Sequence, residues 1–127
     1  MNAAENEIIS TLATVAVAIV AALHIGFLIL EMFLWTKPLG RRVFGHQPDF
    51  ANASSALAAN QGLYNGFLAA GLVWGLLSDA NQLGILIFFL ACIILAGIYG
   101  AITVSRSILV VQAAPAVVAL TLVLLAR

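Results

Sequence analysis

The sequence contains few charged residues and no excess of either sign. Five Lys or Arg and five Asp or Glu make up 8% of its 127 residues, whereas 64% of the chain is hydrophobic. A soluble domain is about a quarter charged. This chain cannot cover a water-facing surface, so we expect lipid to be its solvent. The balanced charge also argues against the basic surface that nucleic acid requires, and no nucleic-acid partner is expected.

Cysteine and histidine are scarce as well. The chain has one cysteine, Cys92, and two histidines, His24 and His46. A lone cysteine cannot form an internal disulfide, and a structural zinc site takes about four ligands. His24 and His46 fall at different predicted depths, so we expect no metal and no cofactor. The length allows one membrane domain, residues 1–127, with no room for a soluble catalytic domain.

Long apolar runs dominate what is present. Crossing a hydrocarbon core of about 30 Å takes roughly 20 apolar residues. The sequence therefore predicts an all-α integral membrane protein, a four-helix transmembrane bundle. The first run follows Glu5 and Glu7 and is too long for a signal peptide, so we expect it to be retained. Pro38 is expected to end it. The predicted helices are about 8–36, 51–77, 83–104 and 108–126, with a loop at 37–50.

Basic residues predict the orientation of these helices. Lys37, Arg41 and Arg42 lie in the first loop and Arg106 in the third turn, whereas Arg127 alone lies on the opposite side. Short loops rich in Lys and Arg stay in the cytoplasm. Both termini are then extracytoplasmic.

Polar side chains in the four helices fall at one predicted depth. At about 1.5 Å of rise per residue, they all lie within the cytoplasmic half of the membrane. Polar groups in hydrocarbon are costly and usually face a bundle interior or a wet cavity. We therefore expect one connected polar pocket, with membrane lipid or a small amphipathic molecule as its ligand. Its predicted ligand-binding residues are Asn60, Gln61, Tyr64, Asn65, Tyr99 and Gln112.

Glu31 and His24 are the candidate catalytic residues. They are seven residues apart, two helical turns, and so share one face of the first helix. A carboxylate and an imidazole have the chemistry of a general acid and a general base. Alternatively, Glu31 extends to the interface and pairs with Lys37, Arg41 or a polar neighbour, and His24 is a satisfied interior histidine. The amides of the second helix have an equally plain alternative, hydrogen bonding between helices.

Glycines punctuate the second helix at GxxxG spacing. Gly62/Gly66 and Gly71/Gly75 are the two pairs, and such pairs let helix backbones approach closely. If one pair stays uncovered after the bundle forms, it predicts a homodimer.

Three segments together resemble a known family. They are HxxFxxLEMFLW in the first helix, NQGLYNGFLAAG in the second and AGIYGAxTV in the third. This combination resembles the small bacterial membrane family catalogued as domain of unknown function 1304, and the resemblance covers nearly the whole chain. It implies a multi-pass protein of the bacterial inner (plasma) membrane and adds no activity.

Several functions are compatible with these features. The favoured hypothesis is binding of a small amphipathic or lipid-like ligand in the polar pocket. Alternatives are a membrane-embedded isomerase-type enzyme that uses Glu31 and His24, a small proton-coupled transporter, and a structural membrane subunit. Whether the protein is an enzyme stays open at this point. The transporter hypothesis needs access from both sides of the membrane, whereas the outer half of the predicted bundle is apolar.

Overall fold

A computed structural model describes residues 2–127, and every regular element in that range is helical. The all-α prediction is confirmed. The elements are α1 (Ala3–Met32), α2 (Pro38–Phe44), α3 (Pro48–Leu77), α4 (Gln82–Thr103), a π-helical turn (Leu109–Ala113) and α5 (Ala114–Leu125).

α1 begins earlier and ends earlier than the predicted 8–36. Asn2 and Glu5 form a reciprocal cap, in which each side chain accepts a hydrogen bond of 2.8 Å from the other's backbone N–H. This arrangement satisfies two of the donors that a helix start leaves free, so the helix starts in the polar residues. It ends at Met32, and Pro38 is not its terminator.

Pro38 instead begins a helix that the sequence did not predict. Residues 37–50 were expected to be a loop, and this is wrong for α2. Proline at the first position of a helix lacks an N–H that would be unsatisfied there, and its φ angle already suits the helix. Gly45 ends α2 in the left-handed conformation, at φ 69°, and its N–H donates to the Arg41 carbonyl.

The last predicted helix, 108–126, is divided in two. Its first turn, Leu109–Ala113, is π-helical, and the N–H of Ala114 donates to the Leu109 carbonyl five residues earlier. Pro115 explains the wide turn, since its ring would collide with a carbonyl four residues earlier in a regular α-helix. α5 then continues to Leu125.

The chain forms two compact units, and each has its own core. The first unit contains residues 2–21 and 70–127, where α4 packs against the π turn and α5. Leu72, Leu90 and Ile93 are fully buried there. The second unit, 22–69, contains the end of α1, all of α2 and most of α3. Its buried α3 residues are small, as Ala51, Ala58, Gly62, Asn65 and Ala69.

Two helices, α1 and α4, are long and apolar enough to cross a membrane. α3 is as long as α1, at 30 residues, but its amide side chains lower its hydropathy. The π turn and α5 together form an apolar stretch of 17 residues.

Candidate functional site

Glu31 and Asn65 meet inside the second unit. The Nδ2 amide of Asn65 donates a hydrogen bond of 2.7 Å to Oε2 of Glu31. Asn65 is buried and Glu31 is half-buried. Of the four predicted polar residues between Asn60 and Asn65, Asn65 is thus the one that faces α1. The bond links the last turn of α1 to the middle of α3.

Gly62 allows this contact to form. A Cβ atom built at Gly62 would lie 3.0 Å from the backbone nitrogen of Met32, 3.1 Å from the carbonyl oxygen of Leu28 and 3.2 Å from Cβ of Glu31. Two of these neighbours are backbone atoms, which cannot move aside easily. A larger residue would therefore push α3 away from α1. The predicted close approach at the first glycine pair is confirmed.

The second glycine pair contacts a different helix. A Cβ at Gly71 would collide with the ring of Phe89, and one at Gly75 would lie 2.5 Å from a methyl carbon of Leu86. Both glycine pairs are thus used within the chain, one against α1 and the other against α4. The homodimer stays a prediction, and neither glycine pair is left uncovered to provide its interface.

His24 lies two turns before Glu31 on α1 and is fully buried. Its ring meets Phe27 edge-on, with ring centroids 5.5 Å apart. Seven residues of helix correspond to about 10.5 Å along the axis. One substrate would need to span that length and reach a buried imidazole in order to touch both groups.

The other three polar residues of this segment face outward. Asn60 and Gln61 are exposed, and Tyr64 is 50% exposed. We call Asn60, Gln61 and Tyr64 the polar face of α3. Each is displaced around the helix from the Gly62–Asn65–Ala69 stripe that packs inward, since successive residues differ by about 100°.

Tyr99 and Gln112 belong to the first unit. Tyr99 is 71% exposed on α4, and its carbonyl accepts a hydrogen bond of 2.8 Å from Oγ1 of Thr103. Gln112 is half-buried within the π turn. Their predicted participation in ligand binding stays a prediction.

An aromatic cluster that the sequence analysis missed closes the end of the second unit. The cluster consists of Trp35, Phe44, His46 and Phe50. Trp35 contacts Phe44 and His46 at tilted angles, with ring centroids 4.8 and 4.5 Å apart, and His46 contacts Phe50 in the same way at 4.8 Å. The indole N–H of Trp35 donates to Oγ of Ser54 at 3.0 Å. The available signal was the four ring-bearing side chains between positions 35 and 50, which the sequence analysis did not consider together.

A cavity of about 170 Å³ lies in the first unit, between residues 10–17, 76–86 and 123–127. Ser10, Thr14, Gln82 and Arg127 provide its polar lining. Ligand sites for small molecules usually exceed about 300 Å³, so this cavity is small for an amphipathic molecule. Within residues 2–127, no group of three His, Cys, Asp or Glu side chains is placed to hold a metal ion.

These features define a small all-helical protein that has two helices able to span a membrane and a carboxylate paired with a buried amide between helices. The sequence profile of a family described as "Protein of unknown function (DUF1304)" matches residues 18–124. The chain belongs to this family.

A curated relative supports the assignment. The uncharacterized protein YpaA of Lactococcus lactis subsp. lactis (strain IL1403) is 32% identical over 113 residues, covering 87% of this chain and 95% of the relative. No solved structure matches the chain. The family description gives no activity, so we propose a function from the geometry of the site.

Proposed function

We propose that this protein is a four-span protein of the bacterial inner membrane, with both termini extracytoplasmic. Large apolar side chains are exposed on every helix, and Leu57, Leu77 and Ile102 are each more than three-quarters exposed. So many large apolar side chains exposed on one small chain are unusual for a monomer in water. Lipid accounts for it, and α1 and α4 have the length and composition to cross.

Within that membrane, the proposed function is binding of a small amphipathic or lipid-like molecule at the polar face of α3. The observation that carries this proposal is that Asn60, Gln61 and Tyr64 are exposed, whereas Asn65 of the same segment is buried and bonded to α1. Polar groups in a membrane helix normally face protein or water. A ligand with hydroxyl, carbonyl or headgroup oxygens would satisfy two amides and a phenol together.

Glu31 and Asn65 act as positioning residues in this proposal. Their hydrogen bond fixes the rotation of α3 about its axis, because it pairs one side chain of α3 with one of α1. With Asn65 held inward, Asn60 and Tyr64 are presented on the opposite side. The ligand then contacts the polar face of α3, and the Glu31 carboxylate stays on the side of α3 that packs against α1.

The isomerase-type alternative has less support from this geometry. It requires one substrate to contact both Glu31 and His24, and His24 is fully buried. A Glu31→Gln variant separates the two proposals. An enzyme would lose turnover, whereas a binding protein would keep its ligand if the glutamine still accepts the hydrogen bond from Asn65.

Native mass spectrometry of the purified full chain tests the binding proposal. Wild type is compared with Asn60→Ala and Tyr64→Phe, which remove exposed polar groups, and with Thr121→Val as the matched control. The Thr121 hydroxyl is exposed but already donates to the Val117 carbonyl at 2.9 Å. We expect a discrete small molecule retained by wild type and the control and depleted in the other two variants.

Equal retention in all four proteins would contradict ligand binding at this face. If Asn60→Ala and Tyr64→Phe instead lower the dimer fraction and leave small molecules unchanged, the polar face is an interface between two copies of the chain.

A further inference from the structure

Three cationic side chains lie together around α2. Lys37 precedes α2 as its N-cap, and Arg41 and Arg42 lie in its last turn. Within residues 2–127 these side chains make no ion pair and no side-chain hydrogen bond, and Nε of Arg41 is buried without a partner there. Asp49 and Glu31, the acidic residues of the second unit, neutralise none of them. The chain's own acidic groups therefore leave the three cations uncompensated, and an anionic partner from outside the chain would compensate them.

The three cations are held by a rigid support. α2 is closed at its end by Gly45, and the N–H of His46 also donates to the Arg41 carbonyl at 3.0 Å. Phe44 and His46, on either side of this turn, belong to the aromatic cluster with Trp35. The backbone that carries Arg41 and Arg42 is therefore fixed on both sides. A fixed support lowers the ordering cost of binding.

The same helix exposes two apolar side chains. Leu39 and Val43 are four residues apart, hence on one face of α2, and each is 54% exposed. Arg42 is exposed beside Val43. A short helix with an apolar face flanked by cations is typical of a segment lying in the membrane interface, with the apolar side chains among acyl chains and the cations at headgroup level.

We propose that α2 and Lys37 form a binding site for the phosphate of an anionic phospholipid. Arginine binds phosphate through paired N–H donors, and lysine adds a point charge. Lys37 and Arg41 are one helical turn apart, so both can reach one headgroup. Leu39 and Val43 contact the acyl chains of the same leaflet. This site is separate from the polar face of α3 and does not depend on it.

Quenching of Trp35 fluorescence by brominated lipid measures whether that lipid lies beside α2, because the Trp35 ring belongs to the aromatic cluster that supports this helix. In a Trp74→Phe background Trp35 is the single tryptophan. The full chain is reconstituted in phosphatidylcholine vesicles that contain brominated phosphatidylglycerol or brominated phosphatidylcholine as the minor lipid. We expect stronger quenching of Trp35 by the anionic lipid. Each cation near an anionic surface contributes about 1 kcal/mol, or roughly fivefold in relative lipid affinity.

Arg42→Gln tests one exposed cation, and we expect the preference for the anionic lipid to fall about fivefold. The combined Lys37→Gln, Arg41→Gln and Arg42→Gln variant should show almost no preference. Arg106→Gln is the matched control, since Arg106 is exposed in the turn after α4, and it should keep the wild-type preference. Because Arg42 is exposed, its single variant remains informative if the triple variant fails to fold.

Two results would overturn the proposal. One is equal quenching by both brominated lipids in the wild-type chain. The other is a preference that persists unchanged in Arg42→Gln. The quenching itself identifies lipid as the source of the phosphate, because free phosphate carries no bromine. Inorganic phosphate should lower the preference more than potassium chloride of equal ionic strength does, because it competes for the same cations.

Discussion

At the scale of single residues, the Glu31–Asn65 hydrogen bond is the most specific contact of the second unit. Sequence spacing placed both residues at one predicted depth but could not say which of the four polar α3 residues would face α1. The small residues at 58, 62 and 69 carry that information, because they form the packed stripe and Asn65 lies within it. Tracing the glycine and alanine stripe first would have identified Asn65.

Replacing Asn65 tests the contribution of this bond. We expect Asn65→Ala to lower the free energy of unfolding by about 1 kcal/mol, since hydrogen bonds between membrane helices contribute roughly 0.6 to 1.7 kcal/mol. Asn60→Ala removes an exposed amide and should change stability by less than about 0.5 kcal/mol. Unfolding in mixed detergent micelles measures both. Equal effects of the two substitutions would show that the Glu31 contact contributes nothing.

The close approach at Gly62 gives a second prediction. Gly62→Ala should destabilise the protein by about 1 to 3 kcal/mol, because its Cβ would press on backbone atoms of Leu28 and Met32. Gly26→Ala is the control on α1, since a Cβ there has nothing within 4 Å, and it should be neutral or stabilising by up to about 1 kcal/mol. A thermal unfolding series compares them, and a neutral Gly62→Ala would contradict the close contact.

At the scale of elements, the apolar runs predicted the long helices, whereas α2 and the π turn were missed. α2 is seven residues long, and we interpreted Pro38 only as the end of the preceding helix. Pro38 at its first position and Gly45 after its end are also boundary signals of a helix. The π turn depends on how Pro115 fits against a particular preceding carbonyl, and apolar periodicity does not report that geometry.

Loss of one aromatic ring should loosen α2. Phe44 is half-buried in the aromatic cluster, so Phe44→Ala should cost about 2 kcal/mol, roughly half the value for a fully buried phenylalanine. Hydrogen exchange of residues 37–46 should then accelerate about thirtyfold. Gln47→Ala truncates an exposed side chain just after this segment and should leave exchange unchanged. Unchanged exchange in Phe44→Ala would show that the cluster does not support α2.

At the scale of the whole molecule, the number of membrane crossings remains a proposal. Composition predicted four spans, while within residues 2–127 only α1 and α4 have both the length and the hydropathy of a span. α3 does not reach the hydropathy of a span, because the amide side chains that make it a candidate site also make it less apolar. The apolar runs of the sequence thus predicted which long segments are helical, but they did not establish whether α3 crosses the membrane.

Labelling of single cysteines in intact cells settles this point. In a Cys92→Ser background, Gln47→Cys lies before α3 and Ala80→Cys lies between α3 and α4. If α3 crosses with the proposed orientation, a membrane-impermeant maleimide should label Ala80→Cys from outside and Gln47→Cys only after permeabilisation. Ser107→Cys should behave like Gln47→Cys. Labelling of positions 47 and 80 from the same side would show that α3 does not cross.

The small residues of the packed α3 stripe affect how the second unit orders itself. Alanine and glycine have no rotamers to lose, so packing this side of α3 costs almost no side-chain entropy at Ala51, Ala58, Gly62 and Ala69. Asn65 is the member of the stripe that must choose a rotamer, and its choice places the amide on Glu31. The stripe therefore defines the inward face of α3 at little entropic cost, and the one amide within it adds a directional hydrogen bond that holds this rotation.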